Sequence, residues 1–111
     1  MKKIINNNEY IFKNEVWEIG YMWGHDSTLH KNGVKISESS VRYYNRTWES
    51  YQFRSVMMRN VENHISGLLD VEIQVYKQEN NIKRLTKDKK QIVVSKFENE
   101  NSELYELKRS L

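Results

Sequence analysis

The apolar residues of this chain change their spacing near residue 45, and that change restricts the folds open to it. Before it, apolar side chains recur at every second position over short runs. After it, they recur every three or four. A period of two lines one face of a strand, and a period near 3.6 lines one face of a helix. Strands followed by a helix, rather than strands alternating with helices, point to an α+β domain.

The strand-like half can be read in pieces. Glu9-Tyr10-Ile11-Phe12-Lys13 is apolar in its middle. Val16 to Trp23 alternates for part of its length, with Trp17, Ile19 and Tyr21 on one face. Asn14-Glu15 reads as a turn between these two runs. His25-Asp26-Ser27, following Gly24, reads as a polar loop. Asn32-Gly33 is the dipeptide that tight hairpins favour, because both central residues take positive φ. It sits between Thr28-Leu29-His30 and Val34-Lys35-Ile36, so a hairpin is expected there. Ser40 to Tyr44 reads as a further strand, with Val41 and Tyr43 on one side.

The helical half opens at Thr47, a good N-cap, followed by Trp48 and an acid, Glu49, in the first turn. Phe53, Val56, Met57, Val61, Ile65 and Leu68 then form an apolar stripe of about five turns. Gly67 is a candidate end. The next stretch has two readings. Leu69, Val71, Ile73 and Val75 alternate as in a strand, whereas Leu69, Ile73 and Tyr76 would continue the helix. The β-branched content favours the strand. Glu79-Asn80-Asn81 reads as a turn and Gln91 to Phe97 as another strand. Ser102 to Lys108 suits a short terminal helix carrying Leu104, Leu107 and Leu111 on one stripe. The expected architecture is a single α+β domain over residues 1–111. A small antiparallel sheet packs on one long central helix, with a C-terminal strand or helix added.

Composition narrows the function. At 111 residues the chain fits one domain, and 12% aromatic residues supply large buried surfaces where aliphatic residues are few. There is no Cys, so disulfides, thiolate metal sites and cysteine nucleophiles are excluded together. The N-terminal apolar stretch ends after Ile5, far short of the roughly 7–15 residues of a signal-peptide core. No stretch approaches the ~20 apolar residues of a membrane span. A cytoplasmic protein without membrane contact is the expectation.

Catalytic patterns are missing. There is no G-x-S-x-G elbow, no P-loop and no G-x-G-x-x-G, and four Gly in the whole chain leave little to build a phosphate cradle from. His25-Asp26 with His30 matches no ligand spacing and reads as an exposed polar loop. His64 falls at the margin of the helical stripe. The chain is expected not to be an enzyme and to use no cofactor or metal.

Two basic features remain in a chain of net charge +3 and pI about 9.1. In the first, Arg42, Arg46, Arg54 and Arg59 are interleaved with Tyr43, Tyr44, Trp48, Tyr51 and Phe53. Guanidinium forks bind carboxylate or phosphate, and the rings offer stacking surfaces. Such a set suits a protein-interface hot spot or a nucleic-acid surface. Equally, the rings can be core and the Arg stems can cover them. In the second, Lys83, Arg84, Lys87, Lys89, Lys90 and Lys96 are opposed only by Asp88. This reads as a solvated loop between two strands, able to touch phosphate backbones without reading sequence.

The block Val41 to Met57 carries a resemblance. Its core, Tyr43-Tyr44-Asn45-Arg46-Thr47-Trp48-Glu49 with Tyr51 and Phe53, resembles a segment that recurs in small accessory proteins of bacteriophages and other mobile elements. Some of those proteins sit among genes that block host defence, including inhibitors of the type II CRISPR effector nuclease. The resemblance covers residues 41–57 only. It implies a phage or mobile-element inhibitor that acts by binding a host defence protein, most concretely that nuclease with its guide RNA. Arg42, Tyr44, Arg46, Trp48, Tyr51 and Arg54 are then the partner-binding candidates. The alternative is a small DNA- or RNA-binding accessory protein using Lys83, Arg84, Lys87, Lys89 and Lys90. A homodimer is open to the chain as well, through the C-terminal Leu stripe.

Overall fold

The computed structural model describes residues 1–44 and 52–111. The order of elements is β1 (Lys2–Ile5), β2 (Asn8–Ile19), β3 (Met22–Lys31), β4 (Val34–Tyr43), α1 (Arg54–Glu79), α2 (Lys87–Glu100) and α3 (Ser102–Arg109). The strands form one antiparallel meander in the order β1-β2-β3-β4. The α+β architecture is therefore as expected, with α1 as the long helix against the sheet.

Strand parity explains which side is core. Tyr10 and Phe12 of β2 and Trp23, His25, Ser27 and Leu29 of β3 are buried and point to one face. There they meet Met57, Asn60, Val61 and Ile65 of α1. Phe97 of α2 and Leu104 and Leu107 of α3 close the same cluster from the other end.

Asn32-Gly33 makes the β3–β4 hairpin, with φ of 49° and 84° at the two residues. β1 was not apparent in the sequence. It pairs with β2 from Lys2↔Ile11 to Ile5↔Asn8 through a turn at Asn6 and Asn7, both at positive φ. Asn tolerates that region better than other non-glycine residues because its short amide bonds locally.

Two expected breaks are strand interior. β2 runs straight through Asn14-Glu15, which pair with Ser27 and Asp26, and the real turn is at Gly20-Tyr21. His25-Asp26-Ser27 is the middle of β3 and not a loop. Polar residues sit inside these strands because an alternating half faces water and because Ser27 is bonded internally by Asn60.

The expected cap at Thr47 and the opening at Trp48-Glu49 lie outside the described residues. In the described residues α1 begins at Arg54, passes Gly67 and continues to Glu79. The strand favoured for Leu69–Val75 is thus helix. So is the strand expected over Gln91–Phe97, which lies within α2. Packing overrides β-propensity in both places. Leu69, Ile73 and Tyr76 of α1 are half-buried, and Val93 and Phe97 of α2 are buried one turn apart. Thr86 caps α2 by accepting from the Lys89 backbone N–H at 3.4 Å. The chain reverses at Asn80 and Asn81, as expected, with Asn81 at φ 52°. α3 also falls where expected. Its Leu104 and Leu107 are buried within the chain, so that stripe is not free to hold a second copy.

Candidate partner-binding surface

Parity divides the central Arg-aromatic segment. Tyr43 pairs with Trp23 and turns to the helix side, whereas Arg42 pairs with Gly24 and turns to the open side. Tyr44, two residues on from Arg42, is 61% exposed. The Arg42 guanidinium donates to the Tyr44 hydroxyl, and this contact pushes the already high Arg42 pKa further up.

The inward residues make a ring box. His25 is buried against Trp23, Tyr43 and Phe53, with centroid separations of 5.5, 5.3 and 4.5 Å. Trp23 and Tyr43 are themselves 5.3 Å apart. Burial pushes the His25 pKa down, and a hydrogen bond to the Gln52 backbone opposes part of that shift. His25 is therefore a neutral core residue, not the exposed loop residue that its polar neighbours suggested. Tyr43 and Phe53 have structural work at this end of the sheet.

The outward residues gather with partners from the β2–β3 hairpin. Trp17 stands opposite Gly24 in the ladder and Ile19 opposite Met22. Trp17 is half-buried, while Ile19 is 66% and Tyr21 83% exposed. Trp17, Ile19, Tyr21, Arg42 and Tyr44 thus form an exposed aromatic and aliphatic end with one guanidinium in it. The alternation of Trp17, Ile19 and Tyr21 was visible in the sequence. Only the register tells that this face looks away from the helix.

The other candidates are placed differently. Arg54, at the start of α1, donates from Nε to the Leu111 carbonyl at 3.2 Å and does not join the Arg42–Tyr44 pair. Arg46, Trp48 and Tyr51 lie outside the described residues. Lys83 and Arg84 sit in the link between α1 and α2, and Lys87, Lys89 and Lys90 lie on the first turn of α2. All five are exposed. They occupy a helix hairpin, not the expected loop between strands. Three lysines against Asp88 alone sit where the helix dipole already places positive charge.

Farther along the open side of the sheet, Lys13, Glu15, Asp26, Thr28, Glu38 and Ser40 line a shallow polar hollow of about 420 Å³. Ser40 donates to Asp26 there. Among the described residues no three His, Asp or Glu side chains are grouped to hold a metal ion, and no helix is long and apolar enough to cross a membrane. His64 is half-buried at the edge of the core, where burial and the charge of Lys31 lower its pKa.

Comparison with models of known families, with curated proteins and with solved structures gives no match to this chain.

Proposed function

We propose that this chain is a mobile-element inhibitor that binds a host defence protein through the open end of its sheet, with the type II CRISPR effector nuclease as its partner. The observation that carries this reading is the exposure of Tyr21, Tyr44 and Ile19 around Arg42. Aromatic and Arg side chains dominate the binding energy of protein interfaces, because they bury much area with little entropy loss. Monomeric surfaces rarely gather such residues without a use for them. The resemblance of residues 41–57 to accessory proteins of mobile elements supplies the choice of partner, and Arg42 and Tyr44 belong to that segment.

The test is a pull-down of the nuclease with and without guide RNA, paired with a DNA-cleavage assay. A complex and loss of cleavage are expected. Intact cleavage and no complex in either form would overturn the reading.

A second reading rests on a separate observation, the three lysines on the first turn of α2. Their positions cost helix stability, and a phosphate backbone would offset that cost. In this reading the chain binds DNA or RNA without sequence preference through Lys83, Arg84, Lys87, Lys89 and Lys90. Gel shifts at about 50 and 200 mM salt separate the two. Phosphate-based binding falls steeply over that range, whereas an apolar protein interface holds.

A further inference from the structure

α1 is longer than the sheet it packs on. Its sheet-facing stripe, Met57, Asn60, Val61 and His64, continues as Leu68, Val71 and Val75. Leu68 already stands beside Lys31 and Ile36, next to the β3–β4 turn. The later residues therefore project past that turn. Val71 is 59% and Val75 40% exposed.

α2 runs back along this projecting half. The chain turns at residues 80–86, and Phe97 of α2 returns to the cluster that holds Ile65 and Leu69 of α1. Between the two helices lies a groove of about 210 Å³, lined by Glu72, Val75 and Glu79 of α1 and by Ile92, Lys96 and Phe97 of α2, among others. Ile92 is 61% exposed.

The two walls carry the same pattern with opposite charge. On α1 the sequence Glu72, Val75, Glu79 places an apolar residue between two acids at i, i+3 and i+7. On α2 the sequence Lys89, Ile92, Lys96 places an apolar residue between two bases at the same spacing. Seven residues are two helical turns, so each set lies on one line. Among the described residues Glu72, Glu79 and Lys89 make no ion pair, and Lys96 reaches Glu100 alone, at 3.9 Å.

We infer that this hairpin face is a homodimer interface, in which α1 of one copy lies on α2 of the other to give an antiparallel four-helix bundle. Two arrangements would bring the grooves together. A two-fold axis across the helices sets α1 on α1, acid against acid, and α2 on α2, base against base. A two-fold axis along the helices sets the Glu72-Val75-Glu79 line on the Lys89-Ile92-Lys96 line of the other copy, twice. Charge selects the second. Both arrangements keep every neighbouring helix pair antiparallel, the usual bundle arrangement, so the charge pattern alone decides between them.

The face is small. About 20 Å of paired helix and an interhelix spacing of about 9 Å give a projected area of roughly 400 Å² per copy. That lies at the low end of specific interfaces, so the dimer forms by mass action at high concentration and dissociates on dilution. The interface is distinct from the sheet end, and the inference does not depend on the function proposed above.

Sedimentation equilibrium of the full chain tests it. From about 5 µM to about 1 mM, the mass is expected to rise from 13.5 kDa toward twice that value. The pair Glu72→Lys with Glu79→Lys, and separately the pair Lys89→Glu with Lys96→Glu, should each weaken association at least about tenfold. An equimolar mixture of the two double variants should recover it as a heterodimer. The chain has no native Cys, so oxidation can report the axis. Val75→Cys mixed with Ile92→Cys should cross-link between chains, with each variant alone giving less product. These positions are exposed, and circular dichroism checks that the variants remain folded. A monomer at 1 mM, an association indifferent to the charge swaps, or preferential cross-linking of Val75→Cys to itself would each overturn the inference.

Discussion

The indole of Trp17 occupies the space that a side chain on Gly24 would need. A Cβ built on Gly24 would stand 2.5 Å from ring carbon Cζ2 of Trp17 and would also overlap the Val41 carbonyl oxygen. The ring can lie over Gly24 on the open face because this cross-strand neighbour is bare. Gly24→Ala is therefore expected to destabilise the domain by about 1–3 kcal/mol, the usual effect of forcing an extra carbon into a filled site. Urea denaturation followed by circular dichroism measures it. Adding Trp17→Ala should recover only part of the loss, since the overlap with the Val41 carbonyl remains.

Asn60 joins helix to sheet in the middle of the core. It is fully buried, and its amide donates to the Ser27 carbonyl at 3.1 Å and to the Ser27 hydroxyl at 3.3 Å. Asn60→Ala should cost about 1–3 kcal/mol, because the buried Ser27 groups lose their donor. Asn60→Asp should cost more at neutral pH, since a carboxylate would then face acceptors. That excess should shrink on acidification as the buried acid takes up a proton. Equal losses for the two variants at every pH would contradict this account.

Stability should fall in two separate steps as pH is lowered. His25 and His64 both have depressed pKa values, mainly through burial. The unfolded chain takes up protons on these groups near 6.5, while the folded chain still resists them. Folding stability is then lost as pH drops below about 6.5. Glu103 acts lower. Burial works to raise its pKa, but hydrogen bonds from Tyr10, Asn8 and Asn6 and the charge of Lys31 outweigh that and hold it below 4.5. Its contribution is complete above 4.5 and disappears as pH falls through the folded value. Chemical denaturation at pH 7.5, 5.5 and 3.5 would resolve the steps. His25→Phe should shrink the first step and leave the His64 part of it, and Glu103→Gln should remove the second.

At the open end of the sheet, Tyr21→Ala, Tyr44→Ala and Arg42→Ala should each weaken partner binding about tenfold or more. The same changes should leave stability within about 0.5 kcal/mol, as expected for exposed positions. Arg54→Ala, which loses its bond to the Leu111 carbonyl, should leave affinity unchanged. Titration calorimetry against the guide-loaded nuclease separates the two classes.

Charge reversal on the first turn of α2 should have opposite effects on folding and on nucleic-acid binding. Lys87→Glu places an acid at the positive end of the helix dipole and should stabilise the domain by about 0.3–1 kcal/mol. If the basic cluster binds phosphate, the same change lowers affinity and flattens its salt dependence. A thermal melt and a gel shift on one variant read both effects.

The parts of this fold legible in the sequence were those with local causes. Asn32-Gly33 marked its hairpin because two positive φ values are needed there, and the 53–68 stripe marked its helix because the core lies on one side of it. The extension of α1 past Gly67 was hidden. Val71 and Val75 look like strand residues, and the half-burial of Leu69, Ile73 and Tyr76, with Tyr76 beside Val93 and Phe97 in the groove, can be seen only once α2 is known to be helical. His25 was hidden for a related reason. Asp26 faces outward and Ser27 is satisfied inside by Asn60, while the His25 ring lies among Trp23, Tyr43 and Phe53. The candidate surface was half legible. Arg42 and Tyr44 belong to the Arg-rich segment, whereas Ile19 and Tyr21 join them only through the β2–β3 register.

The contacts between Asn8, Tyr10 and Glu103 span more than ninety residues, and they bear on the order in which the protein matures. β2, β3 and β4 are consecutive and can pair as they leave the ribosome. α1 can cover part of the Tyr10 ring, but its hydroxyl meets Glu103, and Leu104 and Leu107 complete the cluster, only when α3 arrives. A nascent chain stalled before residue 100 should therefore hold a loose first hairpin open to proteases, and release of the last helix should close it.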